Sequence, residues 1–587
     1  MWSYAGSIVD GSSSGNFVQN GPGTSILTGT STYTGTTAVN AGILDVEGRL
    51  GGTSGVVVNS GGTLTGGGTI DPLTVTINSG GTFAPGTPGI PGTSMTIVGN
   101  LAFQSGALYV TQINSAAATF ANVTGTASLG GTVVAVVEGS GLPQKQYAIL
   151  KSAGLGGTTF SNVVSADPNF ATSLSYTNTN VLLNLTATLG AGSALNGNQQ
   201  AVANTLSNAF NTSGTLPANF GTLFGLTGTS LGNALTQLDG EAATGAERNA
   251  FQMMTQFLGL MLDPFVAGRG SVGPGGQAIA FAPDEAANLP PDIALAYASV
   301  LKAPPPTFDQ RWTAWGGAYG GSNIANGNAS TGSSNVTAST FGFAAGMDYH
   351  VAPGTFVGFA LAGGGTNWGL ASGFGNGRSD AMQAGVYGVT HMGPAYLAGA
   401  LAFTNHWFAT NRSALGGQLS ANFDGQSYGA RLESGYRFAV LPRFGVTPYA
   451  ALQAQDFRTP SYDESDATGS GFALTYAAMN ATDVRSEIGA RFDNPTVIGG
   501  KLPLILRARF AWAHDFVTSP ALSAAFETVP GGSFTVNGAP IAQNSALTSA
   551  GAELFLTSNL SLLAKFDGEF ANGSQTYPGS GTLRYSW

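Results

Sequence analysis

From Arg311 to Trp587, apolar and polar residues alternate with a period of two in run after run. That period puts successive side chains on opposite faces of a strand. In Tyr428–Phe438, the positions Tyr428, Ala430, Leu432, Ser434, Tyr436 and Phe438 share one face, and Gly429, Arg431, Glu433, Gly435 and Arg437 share the other. Asp483–Phe492 sets Asp483, Arg485, Glu487 and Arg491 against Val484, Ile488 and Phe492. Leu504–Phe516 sets Arg507, Arg509 and Asp515 against Leu504, Leu506, Phe510, Trp512 and Phe516, and Leu562–Phe570 sets Lys565, Asp567 and Glu569 against Leu562, Phe566 and Phe570. Glu553 joins the charged set. Twelve strands are predicted, near 311–321, 339–350, 355–366, 379–391, 395–408, 425–440, 445–458, 479–493, 503–517, 547–557, 560–571 and 577–587.

A soluble sandwich also alternates, with its apolar face turned inward. Two features favour a membrane barrel instead. The charged face carries both signs at close spacing, as a polar lumen does, and Trp312, Trp315, Trp407, Trp512 and Tyr585 cluster near strand ends like an interfacial girdle. The connections after even strands are mostly tight (Val351–Gly354, Met392–Pro394, Ser558–Asn559), and those after odd strands are expected to be long, such as Arg458–Thr475 and Thr518–Ala546. No apolar stretch approaches the roughly 20 residues of a spanning helix. Only a closed barrel then satisfies the backbone in lipid. At the end, Leu583, Tyr585 and Trp587 are expected to face lipid, with Arg584 and Ser586 on the lumen side.

Upstream the period changes. Residues 1–190 are short β-rich runs broken by Gly and Asn, and the phrase Asn-Ser-Gly-Gly-Thr recurs at Asn59–Thr63 and Asn78–Thr82. A recurrence of that length suits one coil of a parallel β-helix. Between them, Asn198–Phe210 places Val202, Leu206 and Phe210 on a helical stripe, and Ser230–Leu262 continues it with Leu231, Leu235, Leu238, Phe251, Met254 and Leu258. Met253, Met254 and Met261 read as an apolar packing face, not a cofactor box. After a Gly/Pro linker, Ala267–Gln277, small residues at Asp292–Lys302 predict a helix that Pro304–Pro306 ends.

These phrases carry a family resemblance. Gly23–Gly48 resembles the autotransporter-associated β-strand repeat, with Ser31-Thr32 where Thr-Asn is usual, and residues 100–186 resemble the last rungs of such passengers. The words at Asn198–Ala203 and Leu235–Glu241 are similar to the segment preceding autotransporter barrels, with Asp239 in place of Ser. Residues 308–587, with Arg311–Gly321 and Phe341–Tyr349, resemble the autotransporter barrel itself. The resemblance implies an all-β chain. A right-handed parallel β-helical passenger (1–190) is joined by a helical linker and pore helix (191–307) to a twelve-stranded antiparallel transmembrane barrel (308–587). It places Asp292–Lys302 in the pore and lets the terminal Leu583, Tyr585 and Trp587 signal to the outer-membrane assembly machinery. It also implies nucleation of the passenger by residues 100–186, anchoring by the barrel, and a surface passenger with an unknown ligand.

Composition then excludes chemistry. There are no cysteines, and only 9% of residues are charged, with a formal net charge of −10. A phosphate-binding surface for nucleic acid, and a polybasic patch for anionic lipid, are both missing. All four histidines (His350, His391, His406 and His514) lie in the C-terminal half, so the passenger cannot build a Ser–His or Cys–His nucleophile. Gly11–Gly15 spells G-x-S-x-G without the strand–turn–helix context that motif needs. The six carboxylates of residues 1–190 are Asp10, Asp45, Glu47, Asp71, Glu138 and Asp167. Asp45 and Glu47 share a strand face, which allows a glycosidase pair but reads first as a solvated strand edge. No catalytic residue, metal site or cofactor is assigned. The charged face (Arg431, Glu433, Arg437, Arg485, Glu487, Arg491, Arg507, Arg509, Glu553, Lys565, Asp567, Glu569) is expected to brace a lumen. In the family such acids also act in self-cleavage at a linker Asn pair, but here Asn288 stands alone. Met1–Gly6 has no leader character, so a leader is expected upstream. Two alternatives stay open: an enzymatic esterase or protease passenger preceding Met1, and a plain outer-membrane channel.

Overall fold

The computed structural model describes residues 1–139, 141–263, 311–441, 444–499, 502–516 and 520–587. The linker Ala267–Gln277, Asn288 and the expected pore helix Asp292–Lys302 lie outside the described residues. The chain forms two compact units: Met1–Leu195 with Gln200–Leu235 and Thr528–Gly532, and Asn196–Gln199 with Thr236–Glu527 and Ser533–Trp587.

The first unit is a parallel β-solenoid with three sheets. Thr24 pairs with Ile43, Ile43 with Thr63, and Thr63 with Thr82, so the early coils match the spacing of the repeated Asn-Ser-Gly-Gly-Thr phrase. Later coils lengthen, with Thr82 on Leu108, Leu108 on Thr132 and Thr132 on Asn162. Like residues stack into columns. Leu44, Leu64, Phe83, Tyr109 and Val133 form one, Val39, Val58, Ile77 and Phe103 a second, and Leu50, Ile70, Ile97 and Val123 a third. Every one of these side chains is buried. Each is worth about 1.5–3 kcal/mol of hydrophobic burial, collected only when the next coil arrives. At one corner Asn40 donates to Asn20, Asn59 to Asn40 and Asn78 to Asn59, each at 2.7 Å. The adjoining corner needs a left-handed backbone, supplied by Gly61 (φ 85°) and Gly80 (φ 76°).

The parallel stack ends in an antiparallel hairpin, Phe170–Tyr176 with Asn180–Ala187, which pairs with Gln146–Lys151. Helix α1 (Gly197–Ser213) carries the predicted stripe, and Val202, Leu206 and Phe210 are all buried. Phe210 meets Phe170 edge-on at 5.8 Å, and Phe170 stacks on Phe224 at 5.1 Å. The Asn211 amide bonds both the N–H and the carbonyl of Ala187. The helical segment therefore caps the solenoid, covering an end that would otherwise expose strand edges.

The second unit is a closed antiparallel barrel of twelve strands. They are β1 (Trp312–Ala325), β2 (Val336–Ala352), β3 (Thr355–Leu370), β4 (Asn376–Met392), β5 (Ala395–Ala414), β6 (Gly417–Tyr436), β7 (Phe444–Thr459), β8 (Met479–Ile498), β9 (Leu502–Asp515), β10 (Asn544–Phe555), β11 (Leu560–Ala571) and β12 (Ser574–Ser586). Strand β12 pairs with β1 from Ser586 to Ser574, which closes the ring and leaves no edge.

The wall is inverted relative to a soluble protein. Outside, Phe343 is 71% exposed, Leu401 60% and Phe510 59%, whereas inside, Gln383, Thr404 and Glu553 are fully buried. This sidedness rules out the sandwich, in which the apolar face would be the hidden one. Trp312, Trp407, Trp512 and Tyr585 point outward as expected, but Trp315 does not: it is buried and donates to the Tyr387 hydroxyl at 2.8 Å. The connections also need correction. Long loops follow β7 and β9, yet β5 and β6 are joined by Leu415-Gly416 alone and β11 and β12 by Asn572-Gly573. Residues expected as loop continue the ladder there, because polar side chains pair as well as apolar ones once a strand leaves the hydrocarbon.

Candidate functional site: the barrel lumen and its seated helix

Helix α2 (Gly228–Leu238) is followed by a tight turn and by helix α3 (Gly245–Met261). The inner wall of the barrel is divided. One part is built of small and aromatic residues, among them Ala344, Phe356, Ala360, Ala362, Tyr387, Ala398, Ala400 and Ala402. Met254, Phe257, Leu258 and Met261 of α3 pack against it and are fully buried. The wall makes room by omission: a Cβ at Gly385 would lie 2.6 Å from the Met261 sulfur, and one at Gly429 would lie 2.6 Å from that of Met254. The methionine face therefore packs inside the barrel, against its small and aromatic wall. The helix in the described lumen is Gly245–Met261, upstream of the segment the sequence suggested.

The polar face of α3 is also held. Thr255 accepts from Gln453 and Gln455 at 2.9 and 3.1 Å. Arg248 donates to Asn323, Ser574 and the carbonyls of Ala539 and Pro540. Just past the helix, Asp263 meets Lys565 at 2.9 Å.

The turn before α3 is the segment with Asp239 and Glu241. Gly240 adopts φ 74°, and a Cβ there would overlap Leu474 and Tyr476. Asp239 accepts from the Glu241 N–H at 2.9 Å, and Glu241 accepts from the Ser334 N–H at 2.6 Å. Arg412 donates to the Gln237 carbonyl while it pairs with buried Glu464 at 2.6 Å. Trp368 donates to the Ala242 carbonyl at 2.9 Å. Burial pushes the Glu241 carboxyl up to about 7; burial, and then the nearby Glu241 charge, push Asp239 well above its usual range. Alternation could not reveal this cluster, since Arg412, Glu464 and Tyr476 come from ends of strands and loops.

The remaining wall holds the twelve predicted charges, and each has an opposite partner. Arg431 bonds Glu487 at 2.8 Å and Glu433 at 3.0 Å, and Arg491 bonds Glu433 at 2.8 Å. Arg437 pairs with Asp493 at 2.8 Å, Arg485 with Glu569 at 2.8 Å and Arg507 with Glu553 at 3.0 Å. Arg509 and Lys565 both reach Asp567, at 3.3 and 3.2 Å. Asp493 and Asp263, which were not among the predicted charges, complete the network together with Asp515, which alternation places on the charged face; Asp515 lies 3.6 Å from Arg485. At the chain end Leu583, Tyr585 and Trp587 face outward and Arg584 is buried.

The solenoid's candidates separate. Asp10 accepts from Gly15 and Thr34, which closes the G-x-S-x-G loop as a turn. Asp45 is 9% exposed, so it is not a solvated edge; burial, with Glu47 beside it, pushes its carboxyl up to about 6.

A ring of twelve inverted strands around a helix is now in view, and residues 314–567 match the family Autotransporter beta-domain. The barrel is an autotransporter β-domain. Residues 17–46 match the Passenger-associated-transport-repeat. The autotransporter barrel lies in the outer membrane, its apolar belt against lipid, and its passenger is at the cell surface. An 80-residue stretch is 46% identical to the adhesin BmaC autotransporter of Brucella suis, covering 14% of this chain and 2% of that protein. A 202-residue stretch is 23% identical to an extracellular serine protease of Serratia marcescens, covering 34% of this chain and 19% of that protein. The chain thus matches only a small part of either relative's length. The translocator domain of the autotransporter NalP from Neisseria meningitidis is similar in structure, with 12% identity and a TM-score of 0.39 over 47% of this chain and 88% of that one.

Proposed function

We propose that the barrel anchors the chain and assists export of the solenoid, which acts at the surface as a non-enzymatic, adhesin-like passenger. The observation that carries the anchoring role is the seat of α3. Gly385 and Gly429 admit Met261 and Met254, so the lumen is fitted to one helix and is not a free channel. The ion pairs from Arg431 to Glu569 brace the wall around it. Coil-by-coil burial in the solenoid supplies work for export in a compartment without ATP. The terminal Leu583, Tyr585 and Trp587 serve as the assembly signal. A surface ligand, still to be identified, is the passenger's partner.

Planar-bilayer conductance tests the seat. The intact chain should pass little current, and a Gly385→Leu/Gly429→Leu variant, which evicts the helix, should open a stable pore. Equal conductance of the two would sink the plugged-anchor reading. The second reading, a hydrolytic passenger, is favoured by the partial similarity to a serine protease. Intact cells displaying the solenoid should show no labelling by a fluorophosphonate probe; labelling of the passenger would establish that second reading.

A further inference from the structure

The outer wall carries a groove of about 880 Å³ among its lipid-facing side chains. Its floor is a pair of glycines, Gly388 on β4 and Gly399 on β5, which lie directly opposite each other in the ladder. Along the same row Val357 precedes Gly388 and Leu432 follows Gly399. The neighbouring row, Phe359, Val386 and Leu401, stands 47%, 55% and 60% exposed and forms a ridge above the floor. Trp312 and Tyr349 line one end.

The glycines are not there for the fold. Both have ordinary strand backbones, with no positive φ. A Cβ at Gly399 would come no closer than 3.8 Å to any neighbour, and one at Gly388 no closer than 3.4 Å. This contrasts with Gly385 and Gly429 on the inner face, where a side chain has no space. Glycine inside a strand weakens it and often marks a place where something outside the strand approaches closely. Here both glycines face hydrocarbon, so the approaching body is apolar.

We propose that this groove holds one acyl chain of a glycerophospholipid from the periplasmic leaflet as a long-lived bound lipid, given the membrane placement above. The leaflet follows from position. Gly388 and Gly399 sit a few residues from the tight Gly393-Pro394 turn, at the end where β1 begins and β12 ends. The long connections at 460–478 and 520–543 lie at the opposite end, as extracellular loops do. A flexible methylene chain fits a shallow trough with a smooth floor, and Trp312 and Tyr349 stand where the chain meets its headgroup region.

Native mass spectrometry of the full chain, extracted from membranes in mild detergent, tests this. The unmodified protein should keep one glycerophospholipid under activation that strips the rest. The Gly388→Leu/Gly399→Leu variant, with its folding confirmed by heat-modifiable gel migration, should lose it. Equal retention by both overturns the proposal, as does a bound lipid A in place of a glycerophospholipid. A dimer that separates when the groove is filled also overturns it and assigns the groove to a second copy. A second measurement does not depend on that variant folding. In vesicles of brominated phospholipid fused with an excess of unbrominated phospholipid, a chain whose Trp2, Trp407, Trp512 and Trp587 are replaced by Phe should keep Trp312 quenched after the bulk lipid has mixed. Recovery of Trp312 fluorescence as fast as the lipids mix overturns the proposal independently of the filled variant.

Discussion

The solenoid and the barrel use the same alphabet, rich in Gly, Thr, Ser and Ala and poor in charge, and sort it in opposite directions. In the solenoid Leu44, Leu64 and Phe83 point inward and are fully buried. In the barrel Leu401, Leu432 and Phe510 point outward and are more than half exposed, while Arg431, Glu433 and Glu487 are hidden. Both sort by the same period of two, and only the location of the low-dielectric medium differs. Stability is accordingly held in different places. The solenoid depends on columns of apolar side chains passing from coil to coil. The barrel depends on ion pairs across its lumen, with lipid covering the apolar belt.

The comparison can be strained most severely at Glu433, which takes both Arg431 and Arg491. Glu433→Ala leaves two buried guanidiniums short of a partner and should cost about 3–5 kcal/mol. Heat-modifiable migration in detergent reads the loss of folded barrel, with solenoid thermal unfolding unchanged. In the solenoid, Leu64→Ala removes one link of a buried column and should cost about 2–5 kcal/mol, lowering the solenoid's transition by circular dichroism and sparing the barrel. The outer wall should respond in the reverse sense: Leu432→Arg should cost about 2–4 kcal/mol in lipid vesicles, and Leu432→Ala far less. If Leu432→Ala and Leu64→Ala were equally damaging, the two regions would not differ as described. Asn59→Ala breaks the ladder on both sides and should lower solenoid stability by about 1 kcal/mol.

The smallest expected effect concerns pH. Asp45 titrates in the folded solenoid at about 6, above its ordinary value of 3.8, because burial disfavours its charge. A raised carboxyl pKa means that folding favours the protonated form. Its stabilisation is present below about pH 4 and is lost as pH rises through 6. Thermal melts of the solenoid across that window should show a decline that Asp45→Asn abolishes. A rise with pH would contradict the assignment.

Much of this was legible in the chain itself. Alternation in Tyr428–Phe438 placed Arg431, Glu433 and Arg437 on the inner face, and the recurrence at Asn59 and Asn78 announced the coil spacing. The helical stripe of Val202, Leu206 and Phe210 was equally visible, but its role as a cap was not, since Phe170 and Phe224 belong to other elements. Trp315 misled for a related reason: an aromatic at a strand end reads as girdle, and only its partner Tyr387, far along the chain, turns it inward. The seat of α3 could not be read at all. Gly385 and Gly429 look like any other glycine until Met261 and Met254 are set against them.

That seat ties distant positions together. Enlarging Gly385 requires shrinking Met261, and the same holds for Gly429 and Met254, so neither member of a pair can drift alone. Among diverging descendants of this chain, the mark of a preserved plug would be reciprocal exchange of bulk, a larger wall residue opposite a smaller helix residue, with their summed volume held roughly constant.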